Sequence, residues 1–192
     1  MIKFQLEDAD VFYKTDFYTS EKAWEYFEIL LKETDWQEDE ITVFGKTYPQ
    51  PRLTALFGDS DKSYSYSNIK MFPKPFTKLL QTIKEDIENF SGEKFNTVLL
   101  NLYRDGSDSN GWHSDDEKEL GKNPAIASVS FGAERVFHLQ NKKDKSIKQK
   151  LILENGSLLV MKGETQHTWQ HQIPKTKKLI GARINLTFRK LM

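Results

Sequence analysis

Phe95-Asn-Thr-Val-Leu-Leu-Asn-Leu-Tyr103 reads as a β-strand, and it opens a change of character in the chain. Short candidate strands follow at short intervals: Ala125–Phe131, Arg135–Leu139, Gln149–Leu153, Ser157–Val160, Thr168–Gln172 and Ala182–Arg189. Gly and Asn punctuate them, which implies a sandwich, jelly roll or barrel. Upstream, residues 20–34 predict an amphipathic helix with Ser20 as N-cap and Trp24, Phe27, Leu30 and Leu31 on one face. A second helix starts near Pro75, carries Phe76, Leu79, Leu80, Ile83, Ile87 and Phe90 as a stripe, and stops at Ser91-Gly92. Between the helices, Ile41–Gly45 and Arg52–Phe57 read as short strands, with Gly45 and the Pro49/Pro51 pair marking a hairpin turn. Lys62–Asn68 reads as a polar, aromatic loop or edge strand. The expected class is α+β, with helices packed on a jelly-roll core.

The 192 residues suit one domain, and a hydrophobic content of 38% suffices for a core. No apolar run is long enough to span a bilayer, and Met1–Glu7 lacks a secretory signal layout. With no cysteine, disulfides, thiolate nucleophiles, iron–sulfur clusters and Cys-ligated zinc are excluded. This fits a reducing compartment, and the expected location is cytoplasmic, or nuclear in a eukaryote. The net charge of zero hides an asymmetry: from Lys142 onward there are 12 Lys/Arg against 3 Asp/Glu. A polyanionic partner is therefore compatible with the sequence, with the basic Lys142–Lys150 segment exposed to it.

Only four histidines are present: His113, His138, His167 and His171. In an extended His113-Ser-Asp115 the imidazole and carboxylate share a face and can reach one metal ion. One further His completes a two-His, one-carboxylate set, which leaves open coordination positions and is the pattern of non-heme Fe(II) oxygenases. His167 and His171 both qualify by position, whereas His138 in Val-Phe-His-Leu reads as a structural strand residue. In Arg183-Ile-Asn-Leu-Thr-Phe-Arg189, the two arginines share a strand face with Asn185 and Thr187, and Ile184, Leu186 and Phe188 take the other. On an inward face two guanidiniums call for an anion, and a dicarboxylate matches them; the alternative is an exposed edge strand with both arginines in solvent. Asn101 and Tyr103 also share a face and can donate hydrogen bonds beside the metal.

The runs Asn101-Leu-Tyr-Arg-Asp-Gly106, Trp112-His-Ser-Asp-Asp-Glu117, Ile126-Ala-Ser-Val-Ser-Phe-Gly132, Gly156-Ser-Leu-Leu-Val-Met161, His167-Thr-Trp-Gln-His171 and Arg183–Arg189 together resemble the AlkB family over roughly residues 40–190. These are Fe(II)- and 2-oxoglutarate-dependent dioxygenases that oxidatively dealkylate nucleobases, and the likeness is greatest to the DNA-repair branch. The resemblance implies a double-stranded β-helix core at 95–190 and a nucleotide-recognition hairpin and lid at 41–70; residues 1–40, which match nothing in the family apart from the helix, are an N-terminal extension of the same single domain. It implies iron on His113, Asp115 and His171, favouring His171 over His167. It implies 2-oxoglutarate on Asn101, Tyr103, Arg183, Asn185, Thr187 and Arg189, with Arg183 at the distal carboxylate and O2 as oxidant. Asp116 is the implied contact to the flipped base. Tyr64, Ser65 and Tyr66 resemble the stacking and lid segment, and Phe44, Gly45 and Lys46 the hairpin that probes the duplex. Arg52 is expected to approach DNA from the same hairpin.

The implied reaction is demethylation of 1-methyladenine and 3-methylcytosine in DNA, releasing succinate, CO2 and formaldehyde. Lys142–Lys150, Lys175, Lys177 and Lys178 are expected to meet phosphates. The expected protein is a monomer with no membrane partner. Rival readings are the same chemistry on RNA or a protein side chain, a non-catalytic nucleic-acid-binding module, and a β-rich structural domain.

Overall fold

The computed structural model describes residues 1–43, 46–59, 64–66 and 69–192, without the side chains of 41–43, 46, 64–66 and 69–71. The elements run β1 (Ile2–Phe4), β2 (Asp10–Lys14), α1 (Ser20–Glu33), β3 (Glu40–Val43), β4 (Lys46–Pro49), β5 (Leu53–Gly58), β6 (Tyr64–Tyr66), β7 (Ile69–Met71) and α2 (Lys78–Ser91). Then come β8 (Thr97–Tyr103), β9 (Asn110–His113), a 3-10 turn (Lys118–Leu120), β10 (Ile126–Gly132), β11 (Arg135–Asn141), β12 (Lys148–Leu153), β13 (Ser157–Lys162), α3 (Thr165–Thr168), β14 (Trp169–Ile173) and β15 (Arg183–Arg189).

Seven strands form the larger sheet in the order β1-β2-β13-β10-β15-β8-β5, and four form the smaller in the order β12-β11-β14-β9. Their named pairings are antiparallel. This is a double-stranded β-helix. Its strand order is non-sequential, so residues distant in the chain become neighbours: β15 lies between β8 and β10, in register with both.

Period-two alternation splits the apolar residues of the large sheet into two cores. The outer one packs Val98, Leu100, Val129, Phe131, Ile184, Leu186 and Phe188 against Ala23, Phe27 and Leu30 of α1 and Leu80, Ile83 and Ile87 of α2. The inner one lies between the sheets and contains Leu99, Leu159, Met161, Phe137, Leu139, Leu151 and Trp169. The helices thus cover one face of the large sheet, and the small sheet closes the other.

Both helices have side-chain caps. Thr77 accepts from the Leu80 N–H, and Gly92 ends α2 in the left-handed region at φ 73°. At α1 the cap is Thr19, not Ser20, which becomes the first helical residue. The buried face is also rotated from the expected one, to Ala23, Tyr26, Phe27 and Leu30, leaving Trp24 exposed. A 3.6-residue period admits either stripe, and packing on the sheet selects the one that carries Ala23, Phe27 and Leu30.

Two further differences lie in strand pairing. The hairpin does not join Ile41–Gly45 to Arg52–Phe57: β3 pairs with β4, Val43 facing Lys46, while β5 pairs with β8 in the large sheet. The N-terminal region also supplies more than a helix, because β2 pairs along β13 and β1 along β2. The β13 partners of β2 lie about 150 residues along the chain, from Leu158 opposite Lys14 to Lys162 opposite Asp10, and leave no local trace in the sequence. Phe44 and Gly45, named above as the probing tip, lie outside the described residues. So do the side chains of Lys46, Tyr64, Ser65 and Tyr66, whose backbones sit in β4 and β6. Among the described residues no helix is long and apolar enough to cross a membrane.

Candidate metal and anion site between the sheets

The site sits on the inner face of the large sheet, opposite β14 and β9. His113 ends β9 and faces His171 of β14 in register, with ring centroids 4.2 Å apart. Asp115 follows in the extended segment after β9, and ligand atoms from His113, Asp115 and His171 all lie within 4.8 Å of one another. Spacing two apart brings His113 and Asp115 together; strand pairing across 58 residues brings His171. Phe137 stacks on the His171 ring at 5.3 Å and fixes its plane. The His113 Nδ1 lies 2.8 Å from the Gly111 carbonyl, to which it donates, so Nε2 is the acceptor nitrogen; it lies 3.3 Å from the Asn110 amide nitrogen, a contact a metal would replace. His167 is elsewhere, on α3, where its Nε2 accepts from the Asn123 N–H. His138 stacks on Trp112 outside the cluster.

The charge states favour metal binding. Burial drives the His171 pKa down to about 3, with His113 adding to the effect, so its ring is neutral at pH 7. Burial lowers His113 as well. Burial alone would raise Asp115, but Arg189 and the two imidazoles outweigh it and hold the carboxyl at about 2. Arg189 NH2 donates to Asp115 Oδ1 at 2.8 Å, with both side chains almost fully buried. Two neutral imidazoles and one carboxylate suit a divalent metal such as Fe(II).

From Arg189 the inner face of β15 continues through Thr187 and Asn185 to Arg183. Thr187 donates to Asn185 Oδ1, and Asn185 donates to Ser128 Oγ and the Val129 carbonyl. Arg183 is 1% exposed, and its NH2 donates to Ser130 Oγ at 2.8 Å. Its Nε and NH1 are buried with no hydrogen-bond partner among the described residues. Burial lowers its pKa to about 10, which leaves it cationic at neutral pH. A buried guanidinium with two unmet donors is costly, and a carboxylate satisfies it bidentately. Tyr103 lies under this group, its ring centroid 5.2 Å from the guanidinium carbon. Asn101, Tyr103, His113, Asp115, His171, Arg183, Asn185, Thr187 and Arg189 line one cavity. The arrangement therefore fits a chelated metal at one end and a carboxylate at the other, as 2-oxoglutarate requires.

The remaining predicted residues fall differently. Arg52 is 3% exposed and donates through Nε to Asn101 Oδ1 at 2.8 Å. It therefore does not extend from the hairpin toward a phosphate; it begins the segment that enters the large sheet and is drawn inward by a buried acceptor. Asp116 turns away from the metal cluster and pairs with Lys142 at 3.0 Å on the surface. The sequence reading missed Ser128 and Ser130, which anchor Asn185 and Arg183, and Gln166, whose side chain accepts from the Asp115 N–H. The two serines alternate with Ala127, Val129 and Phe131, so they mark a polar stripe on a buried strand; nothing local signals Gln166.

A family-wide sequence profile described as the 2OG-Fe(II) oxygenase superfamily matches residues 10–189. The chain belongs to that superfamily and, within it, to the AlkB family. It is 40% identical over 181 residues to the human protein named DNA oxidative demethylase ALKBH2, covering 89% of this chain and 69% of that one. It is 43% identical over 172 residues to the Bos taurus protein named alpha-ketoglutarate-dependent dioxygenase alkB homolog 3, covering 85% of this chain. The chain spans 59% of that relative's length. A solved chain titled "The structure of OsALKBH1" shares the fold, with a TM-score of 0.68, 18% identity, and coverage of 94% of this chain and 97% of that one.

Proposed function

We propose that this AlkB-family chain is an Fe(II)- and 2-oxoglutarate-dependent dioxygenase that demethylates 1-methyladenine and 3-methylcytosine in DNA. The observation that carries the reading is the shared cavity: His113, Asp115 and His171 at one end, and the buried, under-satisfied Arg183 at the other. A DNA substrate is supported by the name of the ALKBH2 relatives.

When bound, Fe(II) and 2-oxoglutarate supply the oxidising chemistry: O2 takes two electrons from the keto acid, giving succinate and CO2, and two from the N-methyl group, giving N-hydroxymethyl. The hydroxymethyl group then leaves as formaldehyde, and the ring nitrogen keeps the bonding electron pair. His113, Asp115 and His171 hold the metal. Arg189 keeps Asp115 ionised and oriented. Arg183, backed by Ser130 and Tyr103, takes the distal carboxylate, while Asn101, Asn185 and Thr187 line the path between. Burial excludes water from this end.

The lesion bases are cationic, and Asp116 is the acid that would favour them. It must exchange its Lys142 partner for the base. Residues 41–70 serve nucleotide recognition, with Phe44, Gly45 and Lys46 probing the duplex and Tyr64, Ser65 and Tyr66 stacking on the base; flipping a damaged base costs a few kcal/mol, which such contacts offset. Lys142–Lys150, Lys175, Lys177 and Lys178 meet phosphates, and the working unit is a monomer.

The test is mass spectrometry of an oligonucleotide carrying one 1-methyladenine, incubated aerobically with the protein, Fe(II) and 2-oxoglutarate, each omitted in turn. Methyl loss confined to the complete mixture is expected. Succinate formation without methyl loss on single- or double-stranded DNA would move the substrate to RNA or protein. Neither product, with metal bound, would end the oxygenase reading.

A further inference from the structure

We propose that Gln166 is the positioning residue of the metal centre, holding Asp115 at its backbone while Arg189 holds it at its carboxylate. The inference rests on reading His113, Asp115 and His171 as the metal ligands.

Asp115 lies past the end of β9, where the strand ladder no longer fixes the chain. Its carboxylate is held on one side by Arg189. A carboxylate held at one oxygen can still swing if its backbone turns. Gln166 supplies the second hold: its Oε1 accepts from the Asp115 N–H at 2.9 Å, and the residue is 0% exposed. The other end of the amide, Nε2, rests on Met161 Sδ at 3.7 Å, which sets the amide's orientation. The Gln166 backbone carbonyl also accepts from Lys142 Nζ at 2.8 Å, and the same ammonium pairs with Asp116. One residue therefore ties both neighbouring acids, Asp115 toward the metal and Asp116 toward the surface.

The tie is anchored in turn. Gln166 sits on α3, whose Thr165 Oγ1 accepts from the Asp10 N–H at 2.9 Å. Thr168 Oγ1 donates to the Asp8 carbonyl, and Trp169 Nε1 to the Glu7 carbonyl. Ser114 Oγ adds a stitch to the Trp169 carbonyl at 2.9 Å. The segment 7–10 thus braces 165–169, which braces 114–116. Partners that orient ligands govern metal affinity by about 10–100-fold.

The experiment titrates the metal-free protein with Co(II), reading affinity and the visible ligand-field bands. Gln166→Met keeps the volume and removes the amide acceptor. We expect about 10–100-fold weaker binding and altered bands. Gln166→Asn keeps a buried amide that stops short of Asp115, so it serves if the methionine variant does not fold, with the same expected loss. Ile87→Ala, in the outer core remote from the site, lowers thermal stability without touching Gln166 or Asp115 and should bind Co(II) as the wild type does. Binding within about twofold of wild type in both Gln166 variants would overturn the positioning role, as would equal weakening in Ile87→Ala. If the wild type does not bind Co(II), or His113→Ala binds it equally well, the ligand assignment itself fails and takes this inference with it.

Discussion

The two faces of β15 make opposite demands on one strand. Outward, Ile184, Leu186 and Phe188 are fully buried among apolar side chains from the helices. Inward, Arg183, Asn185, Thr187 and Arg189 are buried just as deeply, at 1–8% exposure. The outer face is stabilised by leaving water. The inner face holds two cations and two amide or hydroxyl groups, of which Arg183 has donors that no described side chain meets. The same backbone thus carries a face that stabilises the fold beside one that costs stability until a ligand arrives.

The largest contrast is functional. Asp115→Ala should lower demethylation by more than about a hundredfold in formaldehyde release, because it removes a ligand and strands Arg189. Leu186→Ala, on the outer face, should do the reverse: a loss of about 2–5 kcal/mol in denaturant unfolding, with kcat/KM per folded molecule close to wild type. If Leu186→Ala abolished activity without loss of stability, the division between the two faces would be wrong.

Arg183→Met sharpens the comparison. Replacing a buried, poorly paired cation by an apolar side chain should leave stability without ligand unchanged or raise it by about 1–4 kcal/mol. It should also remove the rise in melting temperature that 2-oxoglutarate gives the wild type. Equal thermal stabilisation of both proteins by 2-oxoglutarate would show that Arg183 does not hold it.

Acid should act through the inner face as well. His171 has a folded pKa of about 3 against 6.5 for the ordinary group. Between those values the unfolded chain carries a proton that the folded protein lacks, so metal-free stability falls as pH drops from 6.5 toward 3. Asp115, at about 2 against 3.8, adds a further loss below pH 3.8. Thermal melts from pH 8 to pH 4 should show the His171 slope, reduced in His171→Ala. The smallest expected effect lies at the start of α2, on the outer side: Thr77→Ala removes its cap and should cost about 1 kcal/mol.

Much of this was legible because it is local or periodic. The alternation in Arg183–Arg189 separates the two faces without any partner in view, and His113-x-Asp115 carries its own geometry. Helices α1 and α2 announce themselves by capping residues and spacing, although the face that α1 buries had to be chosen by the sheet. The pairing of β2 with β13, the place of β5 beside β8 and the inward turn of Arg52 were not legible, since each depends on a neighbour far along the chain.

The sequence by itself therefore determined that strands would alternate, that one strand would line a charged face, and that a His-x-Asp pair was present. Motif likeness, rather than spacing, favoured His171. Only the tertiary structure decided which histidine completes the cluster in space, that Arg183 Nε and NH1 meet no partner among the described residues and that Gln166 reaches Asp115. Alternation and capping are short-range consequences of backbone geometry, which each residue carries with it. Register between distant strands is fixed by the packing of the whole, and the site exists only where those registers meet.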